Sequence, residues 1–172
     1  LLRFDLSSLP VGSRIVDAKL LLYRESAGSL NLSMRNVDAY RVLESWLPGT
    51  KSGSNGNDGA NWQTRDNTVA WQSAGGSVET VSALDFPHTH FYLWAGNWME
   101  WSIANLVQGW VDGRYPNHGL MLRATTGFNG ETYSTSESPD STRVPKLIVK
   151  YVAPCGAVNP PSDGIAGRVA WW

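Results

Sequence analysis

The amino-acid sequence predicts an all-β domain, a jelly-roll-like β-sandwich with one short α-helix at about residues 104–113. Short segments alternate between apolar and polar residues with the period of a β-strand, and only one segment has a helical period. Turn-forming residues are frequent, with 17 Gly and 9 Pro in 172 residues. Many short strands separated by turns are typical of sandwiches and jelly rolls.

The first two predicted strands flank a turn. Residues 1–6 form a short apolar run, and Pro10 and Gly12 in the next segment favour a chain reversal. Residues 15–24 alternate, which predicts one apolar face made of Val16, Ala18, Leu20 and Leu22.

The middle of the chain predicts fewer regular elements. Residues 32–43 form a long strand with apolar side chains on both faces, and residues 50–59 have the composition of a loop. Residues 61–76 are expected to be irregular and anchored by two indoles. Weaker strand-like segments follow at 78–86 and in the aromatic run 91–101.

The helix is predicted from one apolar face, formed by Leu106, Val107, Trp110 and Val111. Asn105 is expected to cap its start, and Gly113 is placed where a left-handed residue ends a helix. Because so short a helix is unstable alone, its Trp110 face must pack on a sheet.

The last predicted strands lie at 119–124, 131–137 and 144–152. The domain is therefore expected to span residues 1–152, and residues 153–172 to form a Pro/Gly-rich linker and tail. No apolar run approaches the length that spans a bilayer. Cys155 in the tail is the only cysteine, so it cannot form a disulfide within the chain but can form one between chains.

The charge balance excludes a nucleic-acid or anionic-membrane partner. Lys and Arg number 14 against 15 Asp and Glu, a net charge of −1, so no basic field is available to attract polyanions.

An ordered set of short motifs resembles the DNRLRE family, also called disaggregatase-related domains. The motifs are LLRFDLSSLP at 1–10, DAKLLLY at 17–23, YRV at 40–42 followed by Trp46, NWQTR at 61–65, Trp71 with Gly75 and Gly76, LVQGWVDG at 106–113, GLMLR at 119–123, YSTSE at 133–137 and RVPKLIVKY at 143–151. The resemblance implies an extracellular β-sandwich, often found beside secreted or cell-wall enzymes. Some relatives are carbohydrate-binding modules, including modules for acidic polysaccharides.

Two departures from the family pattern have structural consequences. Ala104 stands where the family often has Thr, which shifts the expected helix cap. The family's first strand or strands are missing before Leu1, which predicts an open sheet edge. We expect this edge to be filled by upstream polypeptide absent from the sequence, or by strand addition from another copy, with residues 165–172 as the donor.

Motifs for catalysis and metal binding are weak. His88 and His90 have a spacing that suits a transition metal, but an exposed polar turn after Pro87 is the preferred interpretation. A loop with Asn55, Asn57 and Asp58 has oxygen ligands for structural calcium but lacks EF-hand spacing. Carboxylates are scattered without the pairing that glycoside cleavage needs, so no catalytic residue is predicted.

The aromatic residues in predicted loops and edge segments are the better functional candidates. Sugar rings stack on indoles, and neighbouring guanidinium groups can pair with uronic carboxylates. The candidate ligand-binding residues are Trp62, Trp71, Tyr92, Trp94, Trp98, Arg65, Arg123 and Arg143. A packing role in the core is preferred for Trp62 and Trp71, is an equal alternative for Trp94 and Trp98, and is expected for Trp46, Trp101 and Trp110.

The sequence therefore predicts a secreted or cell-surface module that binds a polysaccharide, with acidic polysaccharides among the candidates, and that needs no cofactor. The alternative is a structural subunit of an extracellular fibre or surface layer, assembled by strand exchange. A polysaccharide-degrading enzyme is a third hypothesis, which the absence of a carboxylate pair disfavours.

Overall fold

Two antiparallel sheets and one helix make up the described part of a computed structural model, which covers residues 1–26, 37–49, 58–85, 96–124, 131–155 and 165–166. The predicted all-β class is thereby confirmed. The elements are β1 (Arg14–Ser26), β2 (Val37–Arg41), β3 (Asn97–Ser102), α1 (Ala104–Val111), β4 (Leu120–Ala124), β5 (Thr132–Tyr133), β6 (Lys146–Val152) and β7 (Ile165–Ala166).

The larger sheet is organised around β1, which is 13 residues long. Its strand order is β3-β1-β6-β7, and β5 also pairs with β1. β6 pairs with residues 14–21 of β1, and β5 pairs with residues 24–26. The smaller sheet contains β2 and β4. All of these pairings are antiparallel.

The alternation predicted for β1 is correct along most of the strand and wrong at its start. Ala18, Leu20 and Leu22 are buried, as predicted, whereas Val16 is 54% exposed and Ile15 is buried instead. The pairing with β6 shifts between Ile15 and Asp17. Such a β-bulge changes which side chains face the core, and periodicity alone does not reveal it.

The core lies between the two sheets, with Trp101 of β3 fully buried in it. Its Nε1–H donates a hydrogen bond of 2.7 Å to the carbonyl oxygen of Val37 in the smaller sheet. Its ring also meets that of Tyr133 edge-on, with centroids 5.8 Å apart. Trp101 therefore joins the two sheets by packing and by a directed hydrogen bond. Trp46 and Trp110 are buried too, as the sequence predicts.

The helix packs as predicted, but its cap differs. Leu106, Val107 and Trp110 are buried, and Gly113 has the predicted positive φ of 64° just after the helix. Asn105 does not cap the helix, because the N-cap position is Ile103, which makes no side-chain cap bond.

The first backbone N–H groups of the helix are hydrogen-bonded by a side chain from outside the helix. The Asp85 carboxylate accepts the N–H groups of Ala104 at 2.5 Å and of Asn105 at 3.0 Å. A carboxylate at a helix N-terminus also opposes the positive end of the helix dipole. This cap lies 19 residues away in the chain, so no local capping motif could predict it.

Three predicted strands are shorter than expected. Within residues 1–6, Leu2 forms an isolated bridge with Leu120, and the predicted 131–137 strand is reduced to β5. Residues 78–85 contain only the Val78 bridge to Val42.

The irregular course of residues 79–83 has a simple geometric cause. The N–H groups of Glu79 and Ala83 donate to the carbonyl oxygens of Arg41 and Ala39. Four residues of this segment therefore span two residues of β2, which prevents a continuous ladder.

A buried ion pair lies beside the larger sheet. The side chains of Arg24 and Glu131 are 1% and 6% exposed, with Arg24 Nη1 3.4 Å from Glu131 Oε1. The Tyr133 hydroxyl donates to the other carboxylate oxygen of Glu131 at 2.5 Å. Removing one partner would leave a charge without compensation in a medium of low dielectric constant.

We expect Glu131→Gln to lower the free energy of unfolding by about 3 kcal/mol or more, since the Arg24 charge would remain buried. Glu100→Gln is the matched control, because it removes the exposed ion pair in which Glu100 Oε1 lies 2.6 Å from Lys19 Nζ. Urea unfolding followed by tryptophan fluorescence compares the two variants. Equal transition midpoints for both variants and the wild type would contradict the role assigned to Glu131.

Candidate ligand-binding site

The most exposed indole in the described chain belongs to Trp62, which is 72% exposed. It lies in a loop that we define as residues 60–77 and call the Trp62 loop. The Trp62 carbonyl accepts a hydrogen bond of 2.7 Å from the N–H of Gly75, which ties the two arms of the loop together. A large apolar side chain is thus displayed on a fixed backbone.

The side chains of Asn61 and Asp66 fix the backbone of one arm of the Trp62 loop. Asn61 Oδ1 accepts the N–H groups of Gln63 and Thr64 at 2.9 and 3.0 Å, and its Nδ2 donates to Thr64 Oγ1 at 2.6 Å. This is the local bonding by which Asn stabilises turns.

Asp66 repeats this pattern one turn later. Its Oδ1 accepts the N–H groups of Val69 at 2.7 Å and Thr68 at 2.9 Å. Hydrogen bonds from Val69 and Thr68, with the Val69 N–H as the main cause, hold the pKa of Asp66 below its ordinary value. Asn67 between them adopts a positive φ of 75°, which completes the tight turn.

Trp71 is the anchor of the loop. It is 6% exposed and packs with Trp46 and Val42 in a small second core. Its Nε1–H donates to the Asn61 carbonyl oxygen at 2.9 Å. The structure thus gives the two indoles of this segment different positions, Trp71 inside and Trp62 outside.

Gly75 supports the Trp62 ring. Gly75 has a φ of 85°, and a Cβ atom at this position would lie 2.7 Å from Cη2 and 2.9 Å from Cζ2 of Trp62. The far end of the indole therefore rests on backbone that only glycine can provide. This contact limits the orientations of the ring.

Arg65 and Arg123, two further predicted ligand contacts, lie on different elements. Arg65 is in the Trp62 loop, where its Nη1 donates to the carbonyl oxygen and the hydroxyl of Ser45, both at 2.9 Å. Arg123 is on β4, with its guanidinium carbon 5.6 Å from the centre of the Tyr40 ring.

A second aromatic surface lies on the outer face of the larger sheet. Trp98 and Tyr23 are cross-strand neighbours with ring centres 5.5 Å apart at an interplanar angle of 76°. The Arg143 guanidinium carbon is 4.6 Å from the Tyr23 ring centre, and Lys146 Nζ is 4.3 Å from the Trp98 ring centre. We call these four residues the Tyr23–Trp98 surface.

The cations of this surface already interact with its rings. Arg143 also forms ion pairs with Glu25 at 3.3 Å and Asp140 at 2.9 Å. A sugar stacking on Trp98 would compete with Lys146, whereas Trp62 is 72% open to solvent. The sequence predicted Trp98 and Arg143 as ligand contacts but did not predict Tyr23 and Lys146. Alternation along β1 could have indicated Tyr23, because it places Tyr23 on the opposite face of the strand from the buried Leu22.

The remaining predicted residues fall mostly outside the described chain. Tyr92, Trp94, His88, His90, Asn55 and Asn57 lie there. Asp58 is described and approaches Gly49, since a Cβ at Gly49 would lie 2.6 Å from Asp58 Oδ1. In the part of the chain with described positions, no three His, Cys, Asp or Glu residues are grouped as metal ligands.

Comparison with known proteins finds no match to a family model, to a curated protein or to a solved structure. Among the described residues, no helix has the length and apolar character needed to cross a membrane.

Gly75→Ala is expected to displace the Trp62 ring and to destabilise the fold by about 1–3 kcal/mol through strain at positive φ. Gly113→Ala is the matched control, because Gly113 also has positive φ but no atom lies within 4 Å of its added Cβ. Indole N–H resonances, assigned with Trp62→Phe, report the displacement. An unchanged Trp62 resonance in Gly75→Ala would contradict the support assigned to Gly75.

Proposed function

We propose that the protein is a non-catalytic extracellular carbohydrate-binding or surface-attachment module, with Trp62 as its central contact. The observation that carries this proposal is a rigidly supported indole that is 72% exposed. Pyranose rings carry apolar C–H faces that pack against such a ring, and their hydroxyl groups suit the polar side chains around it.

The physical argument concerns preorganisation. An exposed indole contributes little to folding, because burial of apolar area is what stabilises a fold. A ligand that covers the indole gains the free energy of that burial. Binding also costs less conformational entropy when the ring is already held in place. The hydrogen bonds of Asn61, Asp66 and Trp71 provide such a hold.

The carboxylates support a non-catalytic role. Glu100 pairs with Lys19, Asp112 pairs with Arg114, and Glu131 pairs with Arg24. Asp5 and Glu137 are bound by neighbouring serines. Each of these five carboxylates thus has its own structural partner, whereas glycoside cleavage requires two that face one sugar.

The extracellular location and the family assignment rest on the sequence motifs that resemble the DNRLRE family. An acidic polysaccharide is the ligand class that this resemblance and the nearby Arg65 favour.

Trp62→Ala is expected to weaken glycan binding by roughly 2 kcal/mol, or about thirtyfold in Kd, as for other central aromatic contacts. Titration calorimetry against neutral and acidic polysaccharides identifies the ligand. Trp98→Ala serves as the control and is expected to retain affinity. Loss of binding in Trp98→Ala with full binding in Trp62→Ala would move the site to the Tyr23–Trp98 surface.

The alternative function, a structural subunit joined by strand exchange, is favoured by the position of β7. Ile165 and Ala166 pair with Lys150 and Val149 at the edge of β6 that faces away from β1. Strand exchange in this alternative uses the β6 edge as the acceptor, and the open edge near Leu1 stays a prediction of the sequence. A β7 segment from another copy can make the same backbone hydrogen bonds.

Light scattering across a concentration series tests this alternative. Strand exchange predicts mass that increases with concentration, and Ala166→Pro is expected to abolish the increase because proline lacks the N–H donor. Ala74→Pro, in the exposed Trp62 loop, controls for a general effect of proline on solubility. A strict monomer at every concentration would exclude exchange.

A further inference from the structure

Met121 of β4 packs beneath the Trp62 loop. Its neighbours Leu120 and Leu122 contribute to the main core between the sheets, whereas Met121 packs against the second core, which contains Trp71. Side chains alternate along a strand, so Met121 lies on the face of the smaller sheet opposite to Leu120. Since Trp71 belongs to the Trp62 loop, the thioether lies between β4 and this loop.

The methyl end of Met121 rests on the backbone of Gly76. A Cβ at Gly76 would overlap Met121 Cε and would lie 3.6 Å from Met121 Sδ. Gly76 has a φ of 105°, a conformation that favours glycine, and the methyl group occupies the space that a side chain would need. The fit between the two residues is therefore close.

Gly76 connects this contact to the exposed indole. It follows Gly75, the residue on whose backbone the Trp62 ring rests. The same arm of the loop carries Trp71, which shares the second core with Met121. A movement of Met121 would therefore displace the arm that supports the Trp62 ring.

The surroundings of Met121 suit a thioether better than a more polar group. The Gly76 N–H donates to the carbonyl oxygen of Ser73 at 3.1 Å. The Trp71 indole N–H donates to the carbonyl oxygen of Asn61 at 2.9 Å. Both donors are engaged by other acceptors, so an oxygen atom added to Met121 would gain no hydrogen bond from them and would carry a desolvation cost.

Met121 is also the more accessible of the two methionines in the described chain. It is partly buried, whereas Met99 on β3 is only 1% exposed. A small oxidant therefore meets less protection at Met121 than at Met99, which the main core encloses. The third methionine, Met34, lies outside the described residues.

We propose that Met121 is a redox-sensitive modification site that controls the position of the Trp62 loop. Its substrate class is a small two-electron oxidant such as hydrogen peroxide. The sulfur lone pair attacks one peroxide oxygen, an S–O bond forms as the O–O bond breaks, and a proton transfer releases the other oxygen as water. The thioether loses two electrons and becomes a sulfoxide, and the peroxide is reduced.

The sulfoxide is expected to leave the position of the thioether. Oxidation converts a flexible apolar side chain into a polar one, and its oxygen is stabilised by water and not by the second core. The side chain then moves away from Gly76, which frees the arm that holds Trp71 and Gly75. A methionine sulfoxide reductase would restore the thioether and, with it, the position of the loop.

The first experiment treats the full chain with hydrogen peroxide and follows each methionine by peptide mass spectrometry. Cys155→Ser and Met34→Leu are present in every protein compared, because the exposed thiol and the third thioether also react with peroxide. We expect Met121 to be oxidised before Met99. Oxidation of Met99 before or together with Met121 would overturn the site, because Met121 would then have no selectivity.

The indole N–H resonances of Trp62 and Trp71 report the position of the loop. We expect peroxide to shift both in the parent and in Met99→Leu, but not in Met121→Leu, which keeps the volume of the side chain without its sulfur. Met121→Gln is expected to cause a shift without peroxide. An unchanged Trp101 resonance distinguishes displacement of the loop from unfolding. Unshifted loop resonances after full oxidation of Met121, or a peroxide-induced shift in Met121→Leu, would refute control of the loop.

The consequence for binding rests on the proposed function and is tested separately. For a glycan bound at Trp62, oxidation of Met121 is expected to raise Kd about tenfold, because the ring loses its support. Equal affinities before and after oxidation would refute the link between Met121 and binding. Reduced protein that binds no glycan would refute the proposed function, whereas a shifted Trp62 resonance would still support the redox-sensitive site.

Discussion

Trp101 provides the contact on which the rest of the structure depends. It is fully buried in β3 of the larger sheet, and its indole N–H donates to the backbone of Val37 in the smaller sheet. Burial of the ring gives a non-directional gain in free energy, whereas the hydrogen bond fixes the relative position of the two sheets. A buried Val37 carbonyl without this donor would carry a substantial desolvation cost.

The position of the smaller sheet in turn determines where the surface features lie. The second core of Val42, Trp46 and Trp71 continues from the end of β2 and holds the Trp62 loop. Trp46 also bonds to the backbone at His118. Rigid packing inside thus places an open indole on the outside.

Much of the fold could be predicted from the sequence because the core of β1 and the helix follow simple periods. Ala18, Leu20, Leu22 and Trp110 are buried where alternation and helical spacing placed them. The errors have specific causes. A bulge reverses the exposure of Ile15 and Val16, and Asp85 caps the helix from a distant position that no local motif indicates.

The candidate site was less predictable than the fold, because tertiary contacts and not local sequence patterns determine it. Trp62 and Trp71 look alike in the sequence, and only the tertiary contacts of Trp71 with Asn61 and Trp46 separate an anchor from a displayed ring. Periodicity in the sequence predicts which face of a strand is buried, whereas predicting a site assembled from several elements requires the topology of the sheets.

The central claim is that a sugar ring stacks on the exposed face of Trp62. A crystal structure of the protein with an acidic oligosaccharide tests it most directly. Our account predicts a pyranose ring parallel to the Trp62 indole. A saccharide ordered on Tyr23 and Trp98, with Trp62 still facing solvent, would contradict it.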